Sequence, residues 1–367
     1  MPLHVWGGGK RVDAIDGLRG LSAIAIACIY HLATINIKYP QGLPFHDIML
    51  INWIYRRGSI FVELFLVISG YMTFYSYTSK IDQGLPFPKY MLNRFFRIYP
   101  LMIATLIIST IGNLIYYLQN GHVWWWGGGQ NTLTTFLFSI LGIQALYPGK
   151  QSWNYPAWSL SVFFICWILY YALIKFTKNK KGFRIYLCIA IILIGIGLHI
   201  NRLSVEVMLF NARTARGYIA FFSGGMVYYL QTLPQNNQKR NEWVAIFVLF
   251  IFILLHVLGV PTGFHTVVFG VAIFPAFIIL SLTNKFLNQL LSLKMITYLG
   301  KISFSIYLCN YFIEIFTLLA NKNLDLKINF SSKYFFFSNV VIHILIASLF
   351  YWIFENKIHK LLKQKYL

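Results

Sequence analysis

The sequence predicts an all-α, polytopic integral membrane protein with about ten transmembrane helices. Three observations predict it. Of the 367 residues, 58% are hydrophobic and 11% charged, where a soluble domain carries roughly twice that charge. The mean hydropathy is +0.62. Apolar stretches of about 20 residues, the length that crosses a hydrocarbon core, recur along the whole chain. Length alone allows two or three soluble domains, but so few polar residues do not cover that many water-facing surfaces.

In order, the apolar stretches are 18–37, 59–79, 99–118, 131–147, 157–177, 184–200, 217–233, 243–261, 264–282, 295–319 and 336–356. The first follows MPLHVWGGGKRVDAIDGLRG, and no A-x-A-like site succeeds it, so it reads as a retained span and not a cleaved signal peptide. The 131–147 stretch is short. It follows HVWWWGGGQN, whose tryptophans suit a membrane interface and whose glycines break a helix, so it reads as re-entrant or interfacial. With no internal repeat or long hydrophilic linker, residues 12–356 form one membrane domain between short cytoplasmic tails, 1–11 and 357–367.

The chain has 31 Lys and Arg against 10 Asp and Glu, a net charge of +21. Such an excess in a soluble protein points to nucleic acid, but here the basic residues are scattered between apolar stretches and form no stripe. They read as topology signals, and no nucleic-acid partner is expected. Placing both termini in the cytoplasm puts roughly two thirds of them on that side. Cys28, Cys166, Cys188 and Cys309 fall in apolar stretches without metal-ligand spacing, so they give neither a disulfide framework nor a metal site.

Ionisable residues inside apolar spans are costly, which makes each a functional candidate. The first span holds Asp16, Arg19 and His31, and the second holds Glu63. A neutral imidazole in a low-dielectric site can take a proton from a hydroxyl, and a carboxylate such as Glu63 can fix its tautomer. The alternative is that His31 only bridges helices by a hydrogen bond, the reading that fits His199, His256 and His343. In YMLNRFFRIYP, Arg94 and Arg97 lie three apart on one helical face, where two guanidinium forks can hold a phosphate or simply mark the cytoplasmic side. Pro100 suits the first turn of the helix that follows.

At these residues the sequence resembles the acyltransferase 3 family of polytopic membrane O-acyltransferases, many of them carbohydrate O-acetyltransferases. IDGLRGLSAIAIACIYH is similar to the first-span signature, with Arg19 and His31 at its arginine and histidine. VELFLVISGYM is similar to the second, with Glu63, Ser69 and Gly70 in place. NRFFRIYP, PAWSLSV, IAFFSGGMVYYL, LGKISFSIYL and WIFENK follow in order, so the resemblance covers nearly the whole chain. There are departures. The offset from Arg19 to His31 is twelve residues instead of the usual eleven, which swings His31 about 100° further round. Either a π-bulge restores the facing or the two residues do not act together. Phe163 stands where a glutamate is common, Asn310 where a histidine is, and Lys357 where a proline is.

The resemblance implies transfer of an acyl group, most often acetyl from acetyl-CoA, to a hydroxyl of a carbohydrate or glycolipid acceptor, without a metal ion. Family members act on surface polysaccharides, peptidoglycan, antibiotics and lipo-chitooligosaccharide signals in nodulation. It assigns His31, Glu63 and Arg19 to catalysis and Arg94, Arg97, Tyr99 and Ser69 to the acyl donor, in a cell inner membrane. At 1.5 Å per residue, His31 lies roughly 18 Å deeper than Arg19, within reach of a CoA arm entering from the cytoplasm. Two other classes share these features. A transporter or flippase also lines its pathway with intramembrane His, Glu and Arg, although it often shows a repeat that is not seen here. A scaffold uses such residues only to lock helices together.

Overall fold

The computed structural model describes residues 5–6, 9–10, 12–33, 35, 42–122, 131–147, 153–178, 180–200, 208–257 and 265–366. The interfacial reading of HVWWWGGGQN falls on residues 123–130, outside the described set, as does the side chain of His256. The chain is helical as expected. Helix α1, Asp13–Ile24, runs on into a π-helical turn, Ala25–Tyr30. Then come α2, Met49–Arg57, and α3, Phe61–Asp82. Next are α4, Phe87–Asn120, α5, Leu133–Ile140, α6, Trp158–Thr177, and α7, Lys181–Ile200. Helices α8, Ala212–Gln231, and α9, Gln235–Val257, follow. A broken rod is made of α10, His265–Val268, a π-turn, Phe269–Ile273, and α11, Phe274–Thr283. Short α12, Lys285–Leu291, precedes α13, Lys294–Asn323. The last rod is α14, Lys333–Phe350, a π-helical segment, Tyr351–Ile358, and α15, His359–Tyr366. A two-residue antiparallel ladder pairs Val5 with Lys10 and Trp6 with Gly9.

Among the described residues, each apolar stretch overlaps one of these helices, 131–147 only in part. Among the described residues, seven helical rods are long and apolar enough to cross a membrane. The helices bearing Asp16 with Arg19 and Arg213 with Arg216 are not among the seven. In 131–147 only the eight residues of α5 are α-helical, roughly 12 Å of rise, too short for a bilayer core of about 30 Å. One local expectation needs correcting: Pro100 does not open a helix but sits inside the 34-residue α4, so NRFFRIYP is helical throughout. Proline removes one backbone donor and bends a helix, a defect that membrane helices tolerate because neighbours re-satisfy the freed carbonyl.

The membrane domain is built of two compact units. The first comprises Met1–Arg19, Val62–Met91 and Val162–Gly300, the second Gly20–Phe61, Leu92–Ser161 and Lys301–Leu367. In the first unit, α3 and α8 cross so closely that a Cβ at Gly70 would overlap the Phe221 carbonyl, and one at Gly224 the Val67 carbonyl. Small residues at a crossing let backbones approach, which is how helices gain contact without a hydrophobic driving force between them. Thus the VELFLVISGYM and IAFFSGGMVYYL stretches meet through their glycines. Beside them Arg184 forks onto Asp82 at 2.9 and 2.5 Å, cancelling two charges that would be costly alone.

The second unit packs around a cluster that includes Leu32, Tyr55, Tyr116, Tyr311, Ile315 and Leu318. Its central element is α13, whose apolar window is 83% buried, against 22% for the rod that contains α14. The sparsely buried rod leaves apolar side chains such as Leu345 and Leu349 exposed, the surface that lipid covers. All four cysteines are buried free thiols.

Candidate active site

The first helix positions two of the predicted residues. Arg19 sits one turn after Asp16 and contacts its carboxylate at 3.1 Å, and its Nε donates to the Gly300 carbonyl at 3.2 Å. Gly300 belongs to LGKISFSIYL, so the first-span arginine ties α1 to the start of α13. The twelve-residue offset between Arg19 and His31 contains the π-turn Ala25–Tyr30, one of the two alternatives left open by the sequence. The His31 N–H closes it on the Ile26 carbonyl at 3.0 Å, an i to i−5 bond that adds one residue to the turn.

His31 caps this π-turn in the second unit and is buried, 5% exposed. Its ring meets Tyr30 edge-on at 5.3 Å and Tyr155 at 6.2 Å between centroids. Its Nδ1 lies 4.0 Å from Oε2 of Glu314, also 5% exposed, on α13. One turn before Glu314, on the same helix face, Asn310 Oδ1 lies 3.2 Å from His343 Nε2, and His343 Nδ1 donates to the Asn339 carbonyl at 2.8 Å. His343 therefore bridges α13 and α14, as its sequence reading holds, and is within electrostatic range of His31. Also on α13, the Tyr311 hydroxyl donates to Asn113 Oδ1 on α4 at 3.3 Å.

Glu63, the carboxylate expected to orient His31, is held by an arginine. Glu63, in the first unit, has no exposed surface, and both its oxygens are taken by Arg216, from Nε at 2.6 Å and Nη2 at 2.8 Å. Within the second unit, Glu314 is set against His31. A bidentate guanidinium–carboxylate fork with one buried partner holds α3 to α8 and neutralises a charge that lipid would not tolerate. Removing one partner of such a pair strands the other at a cost of about 3–5 kcal/mol. The expected result is that Arg216→Met lowers the yield of monodisperse protein on size-exclusion chromatography, and that Glu63→Leu with Arg216→Met recovers it.

The residues assigned to the acyl donor divide in the same way. Arg94 and Arg97 are half-buried on α4 in the second unit. The Arg97 charge is felt by His359 on α15, and Phe96 lies 5.6 Å from Tyr366 at the end of that helix. Basic side chains from α4 and α15 thus gather at one end of the second unit. The Tyr99 hydroxyl is spent on the Ile140 carbonyl at 2.8 Å, anchoring α5, while Ser69 is half-buried on α3 in the first unit. Two further matched stretches meet where Ser305 of LGKISFSIYL donates to Glu355 of WIFENK at 2.7 Å, within the π-helical segment that follows α14.

Sequence reasoning missed Glu314 and Arg216. The cost of an ionisable residue in an apolar stretch, which singles out Glu63, singles out Glu314 equally, but which carboxylate reaches His31 is a matter of tertiary packing. A buried imidazole set against a buried carboxylate in a bundle of membrane helices defines a class of site suited to proton transfer inside a bilayer. A family model described as an acyltransferase domain matches residues 12–355. The chain belongs to this acyltransferase family, and is a multi-pass membrane enzyme that takes an acyl donor and an acceptor. No curated protein and no solved structure matches it.

Proposed function

We propose that the enzyme transfers an acetyl group from cytoplasmic acetyl-CoA to a hydroxyl of a carbohydrate acceptor. The acceptor class is a surface polysaccharide, a lipid-linked glycan or a lipo-chitooligosaccharide signal. The observation that carries this reading is the buried His31 with Glu314 at its Nδ1, in a chain of the acyltransferase family. Glu314 faces Nδ1, so Nε2 is the nitrogen that takes the acceptor's hydroxyl proton as the oxygen attacks the thioester carbonyl. The C–S bond then breaks, the imidazolium returns the proton to the leaving thiolate, and the products are the acetyl ester and free CoA. Glu314 stabilises the imidazolium between these steps. Its 4.0 Å separation is longer than a hydrogen bond, and such contacts commonly tighten once substrates are bound.

Arg94 and Arg97 are the proposed contacts for the donor's phosphates, with Tyr99 fixing the helix beside them, and Ser69 keeps a donor-side role on the family resemblance alone. Arg19 acts by clamping α1 to α13. The enzyme sits in the inner, cytoplasmic membrane with both termini in the cytoplasm, the orientation that gathers most basic residues inside. Mass spectrometry of surface glycans and secreted oligosaccharides tests the reading: one acetyl increment is present with the gene and absent without it. Arg94→Gln and Arg97→Gln each raise the KM for acetyl-CoA roughly tenfold, the effect of losing one charge-assisted contact. An unchanged KM in both removes the phosphate role.

A further inference from the structure

Two residues before Tyr155 the backbone is in a conformation that a bulky side chain rarely adopts. Trp153 has φ 60°, in the left-handed region where non-glycine residues need outside support. Four hydrogen bonds supply it. Its N–H donates to Asn131 Oδ1 at 2.9 Å, and its carbonyl accepts from Asn113 Nδ2 at 3.2 Å. Its indole N–H is shared between the Thr132 carbonyl and Thr135 Oγ1, both at 3.1 Å. Three residues further on, the Tyr307 hydroxyl of α13 donates to the Pro156 carbonyl at 3.0 Å.

The held turn sends neighbouring side chains in different directions. Asn154 is fully buried and donates from Nδ2 to Thr105 Oγ1 at 2.9 Å. The Thr105 hydroxyl is itself donating to the Leu101 and Met102 carbonyls, so it accepts from Asn154, and the amide's orientation is fixed. Its Oδ1 is then a buried acceptor that has no hydrogen-bond partner, a condition that asks for an explanation. Trp153 and Tyr155 are half-buried instead, and the Tyr155 ring stands at 6.2 Å from the buried ring of His31.

We propose that Tyr155, aimed by the strained Trp153 turn toward the buried ring of His31, is the platform on which the acceptor's sugar ring stacks. The proposal rests on the acyl-transfer reading above. A pyranose presents polarised C–H bonds on its face and hydroxyls at its edge. The first suit the negative face of an aromatic ring, the second suit the neighbouring imidazole. The flexible pantetheine arm of a CoA donor needs no flat ring. Strain at Trp153 serves this role because it fixes the direction of Tyr155 relative to His31 instead of leaving it to a mobile loop.

The test is a steady-state comparison of wild-type, Tyr155→Ala and Tyr155→Phe protein in detergent. Acetyl-CoA is one substrate, and an organic extract of lipid-linked glycans from the expressing cells, titrated by hexose content, is the other. Tyr155→Ala raises the KM for glycan about tenfold or more, Tyr155→Phe keeps it within twofold of wild type, and the KM for acetyl-CoA moves less than twofold in both. A KM for acetyl-CoA that rises in Tyr155→Ala while that for glycan does not, or two variants that both match wild type, overturns the platform. Absence of glycan acetylation by the wild-type protein is a different outcome, which overturns the function and not the platform alone.

Discussion

Replacing His31 by alanine lowers the acyl-transfer rate by roughly 100- to 10,000-fold, the contribution of a positioned general base, while the amount and thermal stability of the protein stay near wild type. The size of the loss follows from the site. An alcohol oxygen is a poor nucleophile until a base takes its proton, and His31 is the buried imidazole with a carboxylate at its far nitrogen. A histidine that only bridged helices would give the opposite pattern: reduced protein yield, and a normal rate per folded molecule. His343 supplies the contrast, since its two nitrogens face Asn339 and Asn310, so His343→Gln is the bridging-histidine control.

Glu314→Gln lowers kcat by roughly 100-fold or more, with little change in KM for either substrate. Glutamine keeps the shape and a hydrogen-bonding oxygen but loses the charge that stabilises the imidazolium, so the loss falls on the transition state and not on binding. Glu63→Gln separates the two carboxylates. Because Glu63 is forked to Arg216, its amide weakens the fold, and the readout is protein recovery, not kcat. A selective kcat loss at Glu63 with none at Glu314 would exchange their roles.

Much of the fold was legible because the bilayer imposes a length and a polarity on each rod, and both are written locally. The stretch 157–177 is α6 almost to the residue, and 131–147 betrayed itself by being short. Helix ends were less legible. At α4 the local signal of Pro100 competes with packing along a 34-residue helix, and packing prevails because a membrane environment forgives the lost donor. Within the site, His31 was legible as an imidazole in an apolar span, and even the π-turn before it was foreshadowed by the one-residue surplus after Arg19. Its partner was not. Glu63 and Glu314 look alike in sequence, each a lone carboxylate in an apolar run, and only the crossing of α3 with α8 through Gly70 and Gly224 sets Glu63 against Arg216. Tyr155 carries no sequence signal apart from its motif neighbour Pro156, since its placement depends on a φ value at Trp153 that the residue type itself disfavours.

The most direct measurement uses purified protein in lipid nanodiscs, acetyl-CoA labelled in its acetyl carbon and the lipid-linked glycan extract. The account predicts that label appears in glycan with wild-type protein, and that His31→Ala and Glu314→Gln, equally folded, fail to transfer it at more than a few per cent of that rate. Label that stays in acetyl-CoA and its hydrolysis product with wild-type protein, or glycan labelled at the wild-type rate by His31→Ala, contradicts it.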